Sequence, residues 1–154
     1  MIIVIDSNIV FSAILNTDSL IGDLILNSHG IFTFRSCSFL TYEIQSHWKK
    51  IQNISKLSDE ELQESRRLIY KNIEFIDERQ IPKNYRMLGF ELTKDVDTKD
   101  FVFVSLNEYI KSILWTGDKK LIQGLKKKGY QKLINTKELV NLRLELEKGK
   151  KNNP

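Results

Sequence analysis

The sequence predicts a single α/β domain with three layers, in which helices cover both faces of a central, mainly parallel sheet. Short, continuously apolar segments alternate with longer segments whose apolar residues recur at helical spacing. Strands separated by helices in this way pair in parallel through right-handed crossovers. The chain has 154 residues, 41% of them hydrophobic, which is enough for one core and too little for two domains.

The N-terminal third is expected to hold two strands and three helices. Ile2–Ile5 is short, β-branched and apolar throughout, which is typical of a strand buried on both faces of a sheet. A second strand is predicted at Ile31–Phe34. The predicted helices are Asn8–Leu15, a helix that Asp18 or Ser19 caps and that runs through Asn27, and Ser38–Ile51.

The rest of the chain continues the alternation of strands and helices. Further strands are predicted at Ile73–Ile76, Ile113–Thr116 and Leu133–Ile134. Further helices are predicted from the capping box Ser58/Glu61 to Lys71, over Lys83–Thr93, after Asp97-Thr98-Lys99-Asp100, from Asp118 to Gly129, and over Thr136–Glu147. We therefore assign residues 1–148 to one domain and expect residues 149–154 to form a disordered basic tail.

Three acidic residues lie where a strand or loop gives way to a helix. Asp6 follows the first strand, Asp118 follows the strand at Ile113–Thr116, and Asp100 precedes a helix. Because ligands bind at the carboxyl ends of parallel strands, Asp6 and Asp118 are predicted to converge there. Each acid also has a simpler explanation, since Asp is a favoured helix cap and Glu43 suits a solvated helix.

A group of carboxylates at one sheet edge predicts a bound cation. Neighbouring carboxylates raise one another's pKa unless positive charge neutralises them. Oxygen ligands favour Mg²⁺ or Mn²⁺, and one cysteine with two histidines supplies a zinc site poorly. Such a centre suits phosphodiester hydrolysis. The sequence offers neither a Ser-His-Asp or Cys-His set nor a Gly-rich phosphate loop.

Positive charge is concentrated in the C-terminal part of the chain. Residues 119–154 carry 11 basic and 3 acidic side chains, whereas residues 1–118 carry 13 and 17. A basic flank beside an acidic centre attracts polyanions, although a solvated lysine-rich helix explains the same charge. Asn8 and Thr116 are candidate supporting residues of the acidic centre. The candidates for nucleic-acid contact are Lys119, Lys120, Lys126 and Lys127.

Four segments resemble motifs of the PIN domains, a family of metal-dependent nucleases with a Rossmann-like α/β fold. The segments are Asp6-Ser7-Asn8 with the apolar helix after it, Glu43, Asp97-Thr98-Lys99-Asp100, and Thr116-Gly117-Asp118. The bulky Phe101-Val102-Phe103 departs from the small residues that the family usually shows there. The resemblance implies that the catalytic metal ligands are Asp6, Glu43, Asp100 and Asp118, with Asp97 as an additional ligand.

The same resemblance implies an activity and a set of partners. It implies an endoribonuclease that uses Mg²⁺ or Mn²⁺ to cut RNA. Many small bacterial members resemble the toxin of a toxin–antitoxin pair, so an antitoxin protein and a second copy of the chain are expected partners. The first residues resemble neither a signal peptide nor a membrane span, so we expect a cytoplasmic protein without membrane contact.

Two other functions remain open on the sequence alone. A catalytically silent PIN module that binds nucleic acid or protein would keep the fold without turnover. An aspartyl-phosphate enzyme or receiver domain also carries an Asp after its first strand. A phosphatase of that type needs a second Asp where this chain has Asn8, and a receiver groups acids before its first helix, where Ile2–Ile5 is preceded by none.

Overall fold

The sheet contains five strands, all parallel, in a computed structural model that describes residues 1–152 and the side chains of residues 1–150. The strands run in the order β3-β2-β1-β4-β5. They are β1 (Ile2–Ile5), β2 (Thr33–Cys37), β3 (Ile73–Ile76), β4 (Ile113–Trp115) and β5 (Leu133–Ile134). The predicted parallel sheet is therefore confirmed.

Helices flank the sheet in the part of the chain that the structure describes, which gives the predicted three layers. The helices are α1 (Ser7–Leu15), α2 (Leu20–Asn27), α3 (Phe39–Ser46), α4 (Trp48–Ile54), α5 (Asp59–Lys71), α6 (Lys83–Thr93), α7 (Phe101–Tyr109), α8 (Lys119–Lys127) and α9 (Thr136–Asn152). Single turns of 3-10 helix occur at Glu78–Gln80 and Thr98–Asp100.

The core is built around the central strand β1. Its residues 3–5 have no exposed surface, as expected for a strand that is covered on both faces. Trp115 of β4 is also fully buried, with its ring centroid 5.8 Å from that of Phe34. The Trp115 indole N–H donates to the Thr136 hydroxyl at 3.1 Å. Each large apolar side chain buried in this way contributes roughly 1.5–3 kcal/mol to folding.

Polar side chains fix where several helices begin. The Ser58 hydroxyl accepts the Glu61 N–H at 3.1 Å, and the Glu61 carboxylate accepts the Ser58 N–H at 2.7 Å, which confirms the predicted capping box before α5. Ser19, not Asp18, caps α2 by accepting the Gly22 N–H at 3.1 Å. These bonds satisfy backbone donors that the first helical turn leaves free.

The second strand was predicted at Ile31–Phe34, and both of its ends are wrong. The two residues before Thr33 donate their N–H groups to the Ser28 carbonyl at 3.0 Å, so they belong to the turn after α2. The strand continues to Cys37 because its backbone goes on pairing with β3, where Cys37 lies opposite Ile76, and the buried Ser36 hydroxyl donates to the Ile5 carbonyl of β1 at 2.8 Å. A buried polar residue that finds a partner in this way is invisible to hydrophobic periodicity.

The predicted helix Ser38–Ile51 is two helices, α3 and α4, which meet at His47. The Ser46 hydroxyl donates to the Glu43 carbonyl at 2.8 Å and competes with the helical hydrogen bonds there. The backbone of His47 has φ −101° and ψ 9°, outside helical geometry. The sequence pattern alone gives no sign of this break, because the apolar stripe continues through it.

The last helix is longer than predicted. It continues past Glu147 to Asn152, so the predicted domain end at residue 148 falls inside it and the predicted disordered tail is helical over residues 149–152. Residues 153 and 154 lie outside the described residues.

Two basic side chains attach α9 to the rest of the domain. The Arg143 guanidinium donates to the Asp23 carboxylate of α2 at 2.6 Å. The Lys150 ammonium donates to the Gly30 carbonyl at 2.5 Å. These long-range contacts give the lysine-rich end of the chain an order that its composition does not predict.

No single helix within residues 1–152 has both the length and the apolar character needed to cross a membrane. The pair α1 and α2 meets that test together by length and composition, but the two helices are bent by 102° relative to each other.

A tight approach of α6 and α7 makes Gly89 a sensitive position. A Cβ at residue 89 would lie 2.0 Å from the Ser105 Oγ and 2.7 Å from the Phe101 carbonyl oxygen. We expect Gly89→Ala to lower the free energy of unfolding by about 1–3 kcal/mol, despite the better helix propensity of alanine. Urea unfolding followed by circular dichroism measures this loss.

Gly149 of α9 provides the matched control. A Cβ there would meet nothing within 4 Å, so Gly149→Ala should leave stability unchanged or raise it by up to about 1 kcal/mol. Equal effects of the two substitutions would contradict the close contact of α6 with α7.

Candidate functional site

The pairing of β1 with β4 brings two predicted site residues to one edge of the sheet. In this register Ile5 lies opposite Trp115, so Asp6 and Thr116 are the next residues along the two strands. The Asp6 N–H donates to the Trp115 carbonyl at 3.4 Å. Asp118 follows two residues later, at the carboxyl edge where parallel sheets bind ligands.

Asp6 is buried, and its two carboxylate oxygens have different surroundings. Oδ1 accepts the Ile9 N–H at 3.0 Å and caps α1. Oδ2 is buried without a hydrogen-bond partner. Burial, with smaller contributions from the nearby carboxylates of Asp118 and Glu43, raises the pKa of Asp6 from its ordinary 3.8 to about 6. A charged oxygen in this position is costly unless a cation or donor compensates it.

Thr116 and Asp118 form the turn between β4 and α8. The Asp118 N–H donates to the Thr116 hydroxyl at 3.1 Å, and the Asp118 carboxylate caps α8 by accepting the Leu121 N–H at 3.0 Å. The Thr116 hydroxyl also lies near enough to lower the pKa of Asp6, without the geometry of a full hydrogen bond to its Oδ2. This turn therefore fixes where the Asp118 carboxylate stands relative to Asp6.

Asp100 lies at the start of α7 with 8% of its surface exposed. Burial, together with four other carboxylates in the order Asp6, Asp97, Asp118 and Glu43, raises its pKa from 3.8 to about 7. The other four predicted ligands thus all lie close enough to act electrostatically on Asp100. Helix capping does not account for Asp100, because its side chain makes no capping hydrogen bond.

Glu43 and Asp97 approach the same group from different sides. The Glu43 Oε2 is buried and has no hydrogen-bond partner. Its side chain lines a pocket of about 210 Å³ together with Asn8, whose own side chain is exposed. Asp97 is exposed, and its carboxylate accepts the Lys99 N–H at 2.9 Å, which caps the short turn before Asp100.

The carboxylates lie near one another, but they do not surround a common coordination point. No three His, Cys, Asp or Glu side chains are arranged to hold a metal ion as they stand in the part of the chain that the structure describes. The buried, unpartnered oxygens of Asp6 and Glu43 nevertheless fit a cation. Oxygen ligands of this kind match Mg²⁺ or Mn²⁺, and repulsion keeps such carboxylates apart when no positive charge lies between them.

The basic helix α8 begins directly at the acidic group, with Asp118 as its cap. Its four predicted contact residues are exposed and make no ion pair within the described residues: Lys119, Lys120, Lys126 and Lys127. Lys120 and Lys127 line one groove of about 380 Å³ with Gln123. The adjacent Lys128 serves the fold instead, since its ammonium pairs with Asp95 and donates to two carbonyls at the end of α6.

Three residues near Glu43 are absent from the sequence-based prediction of the site. His47 and Lys50 line the same pocket as Glu43, although His47 reads in the sequence as an ordinary surface residue. Its spacing of four residues from Glu43 is the signal that could reveal it, because residues four apart share one helix face. Tyr42, next to Glu43, is 70% exposed.

A family model of the PIN domain matches residues 4–145 of the sequence. The chain belongs to the PIN domain family. Among solved structures, this PIN domain is similar to VapBC2 from Rickettsia felis, crystallised with a DNA fragment from their promoter. The two chains are 24% identical with a TM-score of 0.56, and the match covers 88% of this chain and 97% of the other. This likeness confirms the predicted fold. No curated protein matches the sequence.

The raised pKa values of the PIN domain acids predict how its stability depends on pH in metal-free solution. In the folded protein the pKa of Asp6 is about 6 and that of Asp100 is about 7, whereas in the unfolded chain both groups have the ordinary pKa of about 3.8. The folded protein therefore binds protons more readily, and its free energy of unfolding should rise as the pH falls from 7.5 towards 4. For Asp6 alone the gain is about 3 kcal/mol.

Urea unfolding in chelator across this pH range measures the effect, with Asp6→Asn as the comparison. The variant should lose part of the pH dependence, because it lacks one of the carboxylates that take up a proton. Identical pH profiles for the two proteins would contradict the raised pKa of Asp6.

Proposed function

We propose that this PIN domain is a Mg²⁺- or Mn²⁺-dependent endoribonuclease of the cytoplasm, and that it acts as the toxin of a toxin–antitoxin pair. One observation carries the nuclease part of the proposal: Asp6 is buried with one carboxylate oxygen unpartnered, and burial together with the other acids raises the pKa of Asp100. An ordinary helix cap needs neither feature. A divalent cation accounts for both, because it supplies the positive charge that the group lacks.

The proposed ligands divide into a fixed part and an adjustable part. Asp6 and Asp118 are fixed, since each carboxylate also caps a helix through one oxygen. Asp100 and Glu43 make no such capping bond, so they are free to turn towards a cation. Asp97 is the additional ligand at the exposed rim. When bound, a divalent ion supplies an activated water and stabilises charge on the phosphate oxygens.

Asn8 and Thr116 support this centre in the proposal. The Thr116 hydroxyl holds the Asp118 backbone and lowers the pKa of Asp6, so it favours the charged form of a proposed ligand. Asn8 stands at the mouth of the pocket beside Glu43, where its amide can hydrogen-bond a phosphate or a water.

RNA is the proposed substrate, and the α8 lysines are proposed to bind its backbone. Lys119 and Lys120 follow the acidic group directly, and Lys126 and Lys127 lie two turns further along the helix. Phosphate contacts of this kind position a strand without reading its sequence. An RNA strand that lies along α8 would therefore pass the acidic edge of the sheet while the lysines bind its phosphate backbone.

The proposal includes two protein partners. VapBC2, which shares the fold, is bound to promoter DNA in its structure, and we extend an assembly of that kind to this chain, with an antitoxin segment across the acidic site. For a second copy of the chain, the exposed apolar side chains of Met87, Leu88 and Phe90 on α6 offer a surface that pairing would cover.

Asp6→Asn tests the nuclease proposal most directly. The amide oxygen of asparagine still caps α1, so the fold should survive while the charge of the proposed ligand is lost. We expect cleavage of single-stranded RNA in Mn²⁺ to fall roughly 100-fold or more. The rate is measured on a labelled RNA by gel electrophoresis, and circular dichroism checks the fold.

Asp18→Asn is the matched control, because Asp18 is exposed and lies outside the acidic group. It should cut RNA as fast as the original protein. Normal cleavage by Asp6→Asn would sink the assignment, and RNA binding with no metal-dependent cleavage in any variant would favour a catalytically silent binding module.

The lysines of α8 predict a salt dependence of RNA binding. Lys120→Ala and Lys127→Ala should each weaken binding and reduce the slope of log affinity against log salt by about 0.7 for each phosphate contact that is lost. Fluorescence anisotropy in chelator measures the slope without cleavage. Lys148→Ala removes the same charge from α9 and should leave the slope unchanged. An equal change of slope in all three variants would show that net charge, not contact with α8, determines RNA binding.

A further inference from the structure

We propose that Tyr42, stacked on Phe39, is a platform on which a base of single-stranded RNA stacks beside the acidic group. Tyr42 has 70% of its surface exposed, more than any other large hydrophobic residue in the described part of the chain. The choice of RNA as the ligand rests on the proposed nuclease function, whereas the stacking surface is inferred from the geometry of α3 alone.

The two aromatic rings form a stacked pair on α3. The two ring centroids lie 6.1 Å apart and the ring planes differ by 26°, which is a stacked arrangement. The Phe39 ring packs against the core, and its backbone N–H donates to the Glu78 carboxylate at 3.2 Å. A tyrosine supported in this way loses little conformational freedom when a flat ligand covers it.

The position of the pair connects it to the acidic group. Phe39, on which Tyr42 stacks, lies one helical turn before Glu43 on the same face of α3, so the pair lies within one turn of a proposed ligand. A base stacked on Tyr42 would thus belong to a nucleotide close to the RNA phosphodiester that lies at the acidic group.

The surrounding charge favours a nucleic acid over a protein as the occupant. Between Phe39 and Ile54 the only acid is Glu43, and the Glu78 carboxylate beside Phe39 is bound to the Phe39 N–H. Lys49 and Lys50 are exposed and make no ion pair within the described residues. Single-strand binding sites combine an aromatic platform with nearby cations in this way. Protein docking surfaces are instead contiguous apolar patches, and here the exposed aromatic surface is limited to one ring pair.

Binding of a short fluorescein-labelled oligoadenylate in chelator tests the platform independently of cleavage. Tyr42→Ala should weaken binding roughly 5- to 150-fold, whereas Tyr42→Phe should bind within about twofold of the original protein because it keeps the ring. Tyr109→Ala, an exposed tyrosine at the end of α7, should have no effect. An abasic strand of the same length should bind the original protein and Tyr42→Ala equally.

A second readout detects stacking itself. An oligonucleotide carrying 2-aminopurine should lose fluorescence on binding the original protein and Tyr42→Phe, but not Tyr42→Ala. Equal oligoadenylate affinity for Tyr42→Ala and the original protein would overturn the platform and leave the aromatic pair to a protein partner. If the protein cuts no RNA while Tyr42→Ala still weakens binding, the nuclease proposal fails and the platform stands.

Discussion

Parallel pairing of β1 with β4 is the constraint on which the acidic edge depends. Ile5 and Trp115 face each other in this register, and both are completely buried, so the packing of the core decides where the next residue of each strand emerges. A slip of one strand by one residue would turn its side chains to the opposite face of the sheet, relative to those of its neighbour. The position of Asp6 relative to Thr116 is therefore set by the most stable part of the molecule.

The fold buries the Asp6 carboxylate although burial destabilises its charged form. One carboxylate oxygen caps α1, which contributes to stability, while the other lies buried among acids, which raises the pKa of the group. Removing the charge should make the metal-free protein more stable. A residue whose neutral form suits the fold better than its charged form is typical of a functional position. This property distinguishes Asp6 from the half-buried cap Asp77, whose pKa is lowered by its hydrogen bonds with Arg79.

Local rules predict most of the fold and part of the site from the sequence. The apolar run at Ile2–Ile5 and the Ser58 capping box each depend on neighbours along the chain, so both are visible in the sequence. The extent of β2 and the order of α9 depend instead on distant partners, namely the pairing of β2 with β3 and the Arg143 bond to Asp23. The burial of Asp100 likewise arises only on packing, whereas the break at His47 accompanies a local bond of Ser46 to Glu43 that hydrophobic periodicity does not register.

Both described ends of the chain lie at the edge of the sheet opposite the acids. The Met1 ammonium donates to the Ile31 carbonyl at 2.9 Å, and the Lys150 ammonium donates to the carbonyl of the preceding Gly30, just before β2 begins. An affinity tag, fluorophore or surface anchor attached near either end would consequently leave the carboxyl edge of the sheet unobstructed. The molecule can be immobilised near these residues while the sheet edge that carries Asp6 points into solution.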